Sequence, residues 1–389
     1  MTTPASSAAT LPPQTYLQIF LRFLRFGLLA WGGPVAQIAM VKQELVDEEH
    51  WITPERFNRV LAVYQVLPGP EAHELCVYFG MLAGGQIGAI LAGLGFMLPG
   101  FILMFVLSWF YVQYGVNSPI FQGIFYGFQA AVPALILRAI QRLGIHALHD
   151  RWLWLVAILS GVASWLGINF LFSLTLAGLV YTLVKRRVDL DQAPLTMLLP
   201  LGLTLPVLAL AAPNLLTLFV SGLRTGLLTF GGAYTAIPFL QHDAVVTGGW
   251  MTNQQFLDGI ALSSILPAPL IIFSTFVGYL GGGPLGALAL TFGVFLPAFG
   301  FTLFGHRLFE EKLVENQSIH AFLDGVTAGL VGLIVVATFG LFRTALVDWP
   351  AWLIFIAALL VLARWRTKAV IPIVMIAAGL FGLLVRLFI

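Results

Sequence analysis

The sequence predicts an all-α polytopic membrane protein made of two inverted-topology repeats, with broken helices and about thirteen membrane segments. Two observations support this prediction. Of the 389 residues, 59% are hydrophobic and only 9% are charged, whereas soluble domains carry roughly 25% charged residues. Glycines and prolines also interrupt the apolar runs, and the same interruptions recur in the second half of the chain. Ionisable groups are costly in hydrocarbon, which explains why they are rare here.

Apolar runs of about 20 residues are long enough to cross a bilayer. Before them, residues 1–13 are small and polar, and we predict a disordered tail there. With the amino terminus in the cytoplasm, the strongest basic cluster, Lys185-Arg186-Arg187, also lies inside, as the positive-inside rule expects. The thirteen runs fall near 16–33, 58–83, 86–114, 120–141, 151–167, 169–184, 195–212, 215–232, 256–280, 284–304, 321–343, 351–363 and 370–388.

The chain repeats itself at an offset of 199 residues, where 20–70 matches 219–269 with 17 identities in 51 positions. The run at 195–212 separates the halves, and one extra crossing turns the second half upside down. Inverted repeats with matching breaks are typical of secondary transporters, with the substrate near the bilayer midplane. We therefore predict a tail over 1–13, a first repeat over 14–187, a linking membrane segment over 188–213 and a second, inverted repeat over 214–389.

The first interruption is Gly32-Gly33-Pro34, which follows the first apolar run. Gly costs a helix interior about 1 kcal/mol relative to Ala, and Pro about 3 kcal/mol, so the helix is expected to break here. A broken helix persists in lipid only where protein or water satisfies the freed backbone groups. A helix that restarts at Pro34 directs unpaired N–H groups and a positive dipole end at that space, as an anion site requires. The alternative for these glycines is close helix packing.

The second half repeats this interruption as Gly231-Gly232, followed by Ala233 in place of the proline. Side chains just after each break face the same space and could donate hydrogen bonds to an anion. The candidates are Gln37 in the first half, and Tyr234 and Thr235 in the second.

A further interruption is Pro68-Gly69-Pro70, repeated as Pro267-Ala268-Pro269. Two prolines around a small residue cannot remain helical, and Pro70 suits the first position of a new half-helix. Ser264 precedes the second copy and is a candidate contact for an anion, although a helix–helix hydrogen bond explains it equally well.

Charged residues complete the candidate site. Arg25 and Arg224 occupy equivalent places within the first run of each half. A guanidinium inside the membrane can pair with a dianion, and the alternative is snorkelling to an interface. Arg138 is predicted to snorkel at the cytoplasmic end of its run. Glu71, His73 and Glu74 follow Pro70; we predict a gating or proton-coupling site there, with ordinary helix-start carboxylates as the alternative.

These residues resemble the chromate ion transporter (CHR) family in its long, two-domain form, and the resemblance covers about 16 to 388. The family's Phe-Gly-Gly-Pro-like and Leu-Pro-Gly-Pro motifs stand here as Trp31-Gly32-Gly33-Pro34 and Leu67-Pro68-Gly69-Pro70, and both recur in the second half. This sequence departs from the family pattern at Trp31, Ala233 and Ala268, and its Glu71-Ala72-His73-Glu74 run is more charged than the Thr and Gln types associated with that position. The resemblance implies an inner-membrane carrier that exports chromate and confers chromate resistance, with sulfate as competitor or exchange partner.

We therefore expect a multi-pass transporter in the cell inner membrane that exports chromate by alternating access. The alternatives are an oxyanion channel or an uptake carrier; an enzyme is not expected. We expect no cofactor and no metal site. The expected partners are chromate or sulfate and the lipid bilayer, not nucleic acid, since no basic stripe with interleaved aromatics occurs. A homodimer stays open.

Overall fold

The computed structural model describes residues 14–115, 118–186, 214–305, 317–365, 367 and 369–388. Within those ranges the chain is helical. The predicted tail at 1–13 and the predicted linking segment at 188–213 lie outside the described residues. The helices of the first half are α1 Tyr16–Leu28, α2 Gly33–Lys42, α3 Pro54–Val66, α4 Glu71–Phe110, α5 Pro119–Ala147, α6 Arg151–Trp165 and α7 Phe170–Arg186.

The second half presents the same order of elements. Its helices are α8 Leu215–Leu228, α9 Ala236–Gln241, α10 Asn253–Ser264, α11 Phe273–Gly300, α12 Gln317–Ala345, α13 Trp349–Arg364 and α14 Val370–Phe388. Even local irregularities match between the halves. A π-helical turn follows α2 at Gln43–Glu48, and another follows α9 at His242–Thr247.

Two of the longest helical stretches are hairpins. In a straight helix, residues eight apart lie about 12 Å apart, yet Gly80 packs directly against the carbonyl of Gly88. The reversal occurs at Gly84 and Gly85, and Gly85 has φ 62° and ψ −151°, a conformation reserved for glycine. Gly282 and Gly283 repeat it with nearly identical angles. We call these two positions the tips of the α4 and α11 hairpins.

Five helical segments among the described residues are long and apolar enough to cross a membrane: Glu71–Tyr114, Pro119–Ala147, Leu270–Gly305, Gln317–Ala345 and Val370–Phe388. The predicted count of thirteen segments is not confirmed. The predicted run 58–83 is not one helix, because α3 ends at Val66 and α4 begins at Glu71. The shorter apolar helices α6, α7, α8 and α13 accompany the long ones.

The hydrophobic core is divided unequally between the halves. The buried residues of one cluster, from Ile19 to Phe96, all belong to the first half, and Phe301 of the second half packs against it. The largest cluster instead joins α5 with the second half, including Ala233, Ile237 and Ile260 beside α12. Thus α9 and α10 pack on the long helices α5 and α12, whereas α2 and α3 belong to a core of their own with α1 and α4.

Candidate functional site

The first break follows α1, at residues 29–32. Gly32 has φ 90° and Gly33 has φ 77°, both in the region where side chains are strained. Pro34 lies in the first turn of α2, where its missing N–H costs no hydrogen bond. Gln37 is buried, and its Nε2 donates to the carbonyl of Ala30 at 2.9 Å, so this side chain bridges the break.

The second-half break follows α8 and has a different local conformation. Gly231 has φ 72° and Gly232 has φ 120°, and a short 3₁₀ turn at Ala233–Thr235 follows. The hydroxyl of Thr235 donates to the carbonyl of Gly232 at 2.7 Å, so this hydroxyl closes the turn. A Cβ on Gly231 would lie 3.2 Å from the Leu143 side chain of α5.

The proline breaks bring the two halves together. The N–H of Gly69 donates to the carbonyl of Thr229 at 2.9 Å, which joins the proline break of the first half to the glycine break of the second. A Cβ on Gly69 would lie 3.3 Å from Ala298, and Gly100 packs against Ala268 in the reciprocal contact. The hydroxyl of Ser264 donates to the carbonyl of Ile260 at 2.7 Å within α10. The flanking prolines are Pro68 and Pro70 in one break, and Pro267 and Pro269 in the other.

Arg25 and Arg224 both form ion pairs, with equivalent partners. Arg25 pairs with Glu44, and Arg224 pairs with Asp243, so each arginine reaches the π-helical turn 19 residues later. The exposure of the two arginines differs: the Arg25 side chain is 59% exposed and the Arg224 side chain 10%. Asp243 also accepts a hydrogen bond from Ser221 at 2.6 Å. One pair therefore connects α1 to the π-helical turn at Gln43–Glu48, and the other connects α8 to the π-helical turn at His242–Thr247.

Glu71, His73 and Glu74 lie in the first turn of α4, beside the proline break. His73 and Glu74 are fully buried, and within the described chain their polar side-chain atoms have no hydrogen-bond partner. His73 packs between the rings of Phe295 and Phe299, whose centroids lie 4.9 and 4.8 Å away. Buried ionisable groups without partners in a membrane protein indicate function.

A model of the chromate transporter family matches residues 17–183 and 216–383. The chain belongs to this family. A chromate transport protein of Pseudomonas aeruginosa is 53% identical over 401 residues, covering 98% of this chain and 95% of that protein. One from Cupriavidus metallidurans is 33% identical over 389 residues, covering 98% and 96%. No solved structure matches.

The structure of this chromate transporter family member identifies two groups that sequence reasoning missed. Arg138 and Arg142 of α5 both interact electrostatically with Tyr234 beside the second glycine break, and Arg142 also interacts with Glu71. The sequence predicts that Arg138 snorkels to a membrane interface, and this stays a prediction. A signal for this group was present in the sequence, because two arginines four residues apart share one helix face.

The second missed group joins three helices. The buried carboxylate of Asp258 in α10 accepts hydrogen bonds from the Tyr111 hydroxyl and from Gln129 Nε2, both at 2.8 Å. Because Asp258 aligns with Arg59 in the repeat, the comparison of the halves concealed it. Among the described residues, no group of three or more His, Cys, Asp and Glu side chains suits a metal ion.

Proposed function

We propose that this chain transports chromate across the membrane that it spans. The observation that carries the proposal is the meeting of the matched breaks, where Gly69 of one half donates to Thr229 of the other. Interrupted helices at a repeat interface are the usual substrate site of secondary transporters. The relatives from Pseudomonas aeruginosa and Cupriavidus metallidurans are named chromate transport proteins, and their similarity extends over nearly the whole chain.

We also propose that the two repeats are inverted, and the contacts between the hairpins support this. Gly93 lies near the α4 tip and packs against Phe299, far along α11 from its own tip. Phe105, farther from the α4 tip, meets Tyr279 near the α11 tip, with ring centroids 5.4 Å apart. Moving away from one tip therefore leads toward the other, as expected if the tips face opposite sides of the membrane.

Alternating access is the proposed mechanism, and the unequal packing of the halves supports it. The second-half helices α9 and α10 pack on α5 and α12, whereas the first-half helices α2 and α3 do not share that core. In a pair of inverted repeats, this difference leaves the substrate site open on the side of the first half and closed on the side of the second half. A carrier in this state exposes its site to one side of the membrane only. Exchanging the two packings would expose the site to the other side.

We place the chain in the inner membrane with a cytoplasmic amino terminus, and we propose export. The start of α1 lies beside the α4 tip, since a Cβ on Gly84 would lie 2.7 Å from Ile19. We therefore assign the start of α1 and the α4 tip to the cytoplasmic side. An inside-negative potential drives an anion outward by about 2.3 kcal/mol per charge per 100 mV.

Sulfate, with similar shape and charge, is the proposed competitor. A homodimer is a further proposal to test by cross-linking.

The proposed substrate site contains the residues predicted from the sequence, with one condition. The breaks present backbone groups directly, but Arg25 and Arg224 must first leave Glu44 and Asp243 before they can bind an anion. We assign proton coupling to Glu71, His73 and Glu74. The remaining members of the proposed site are Gly32, Gly33, Pro34, Gln37, Pro68, Gly69, Pro70, Gly231, Gly232, Tyr234, Thr235, Ser264, Pro267 and Pro269.

The test is chromate flux in proteoliposomes that contain the purified chain. We expect saturable chromate transport, slowed by sulfate and accelerated by chromate loaded on the opposite side. Gly232→Val should abolish it, because the backbone there has φ 120°, whereas Gly300→Ala, in open space within α11, should not. Flux no greater than in empty liposomes would contradict the proposal, and an ohmic current without exchange would indicate a channel.

A further inference from the structure

Arg138 and Arg142 lie one turn apart on α5, which crosses the membrane between Pro119 and Ala147. Neither forms a salt bridge with any residue that the structure describes, whereas Arg25 and Arg224 both do. The Nη1 atom of Arg138 is buried, and no described atom accepts a hydrogen bond from it. A buried guanidinium nitrogen without an acceptor is unfavourable, so Arg138 has one unsatisfied donor. The rest of Arg138 is partly exposed and Arg142 is exposed, so both can be reached by a ligand.

The groups that face these arginines come from both halves. The next residue of α5, Leu143, packs beside Gly231, which places this part of α5 against the second glycine break. Tyr234 follows that break and is close enough to interact electrostatically with both arginines. Glu71, at the start of α4, is the carboxylate that interacts with Arg142. Two cations and one carboxylate leave the cluster one positive charge in excess.

The chemistry of this cluster selects its ligand class. A guanidinium presents a planar fork of donors that matches two oxygens of an oxyanion, and two such forks suit a doubly charged ligand. A tetrahedral dianion can accept from both forks and from the Tyr234 hydroxyl together. A monoanion such as chloride satisfies fewer of these donors, so it is expected to bind more weakly.

We infer that Arg138 and Arg142, with Tyr234, form the docking site for a tetrahedral oxyanion dianion on the side where the first half is open. This inference rests on the proposed function. It assigns recognition of the anion to α5, and not to Arg25 and Arg224, which are already paired with carboxylates. Glu71 is near enough to influence Arg142 without forming a salt bridge to it, so an anion bound there would compete with Glu71 for the guanidinium. Binding is thereby coupled to the start of α4 and to the proline break.

The test compares four variants with the wild type in the proteoliposome assay: Arg138→Gln, Arg142→Gln, Arg142→Lys and the control Arg343→Gln. Arg343 lies near the end of α12, with its guanidinium over the ring of Phe339 at 5.1 Å. Each Gln variant on α5 should raise the half-saturating chromate concentration at least about tenfold, the loss expected for one charge-assisted pair. Arg142→Lys keeps the charge but loses the planar fork of donors, so its half-saturating chromate concentration should lie between those of the wild type and Arg142→Gln. Arg343→Gln should change this concentration less than about twofold.

A second measurement separates binding from folding. Chromate and sulfate should each raise the thermal unfolding temperature of the purified wild type more than chloride does. The α5 variants should unfold near the wild-type temperature without anion, but lose most of the shift with chromate. If the wild type transports chromate and both Gln variants keep its half-saturating concentration and its thermal shift, the inference is wrong. If the wild type itself does not transport, the proposed function fails instead.

Discussion

At the scale of single residues, Arg25 and Arg224 illustrate what sequence comparison can and cannot establish. Their equivalence was visible from the repeat, but their pairing with Glu44 and Asp243 was not, because residue spacing alone does not show that the chain folds back to bring these carboxylates to the arginines. The structure shows that both arginines are occupied by these carboxylates. Arg138 aligns with an apolar residue, so the repeat gave no reason to place it in the site and the sequence predicted only snorkelling for it.

The two ion pairs should differ in their effect on stability. Asp243 is buried, so Arg224→Gln leaves a buried carboxylate without its cation and should cost roughly 3–5 kcal/mol of unfolding free energy. Arg25→Gln disrupts an exposed pair and should cost about 0–1 kcal/mol. Thermal and denaturant unfolding in detergent measures both. Adding Asp243→Asn to Arg224→Gln should recover much of the loss, and no recovery would contradict this explanation.

At the scale of elements, the breaks were predictable and the hairpins only partly so. The Gly-Gly-Pro and Pro-Gly-Pro motifs locate the ends of α1 and α3 to within a few residues, since backbone chemistry decides them. The boundary between the predicted runs 58–83 and 86–114 coincides with the α4 tip at Gly84 and Gly85, although 58–83 itself is not one helix. The tight contact of Gly80 with Gly88 depends on the reversed chain, which residue spacing alone does not determine.

The α4 tip gives a prediction at this scale. Gly85→Ala should destabilise the protein by about 1–3 kcal/mol, because φ 62° with ψ −151° strains any residue that carries a Cβ. Gly283→Ala should do the same at the α11 tip, where the angles are φ 60° and ψ −150°. The matched control is Gly300→Ala at the end of α11, where a Cβ meets no atom within 4 Å, and it should be neutral or slightly stabilising. Equal unfolding temperatures for Gly85→Ala and Gly300→Ala would refute the assigned strain.

At the scale of the whole molecule, internal repetition allowed the sequence to predict two related halves, and the structure has the same order of helices in both. Their unequal packing could not be predicted. Near-identical motifs occur in a first-half core built on α1 and α4, and in a second-half core that includes α5 and α12. That difference depends on long-range contacts, not on local pattern. It is also the feature on which the proposed alternation depends.

The central claim, two halves inserted in opposite directions, is tested most directly by labelling the two tips. In a Cys76→Ala background, which removes the chain's one native cysteine, Gln86→Cys and Pro284→Cys place single thiols at equivalent exposed positions beside the tips. A membrane-impermeant maleimide is applied to right-side-out and inside-out vesicles. The account predicts labelling of Gln86→Cys from the cytoplasmic face and of Pro284→Cys from the opposite face. Labelling of both from the same face would contradict it.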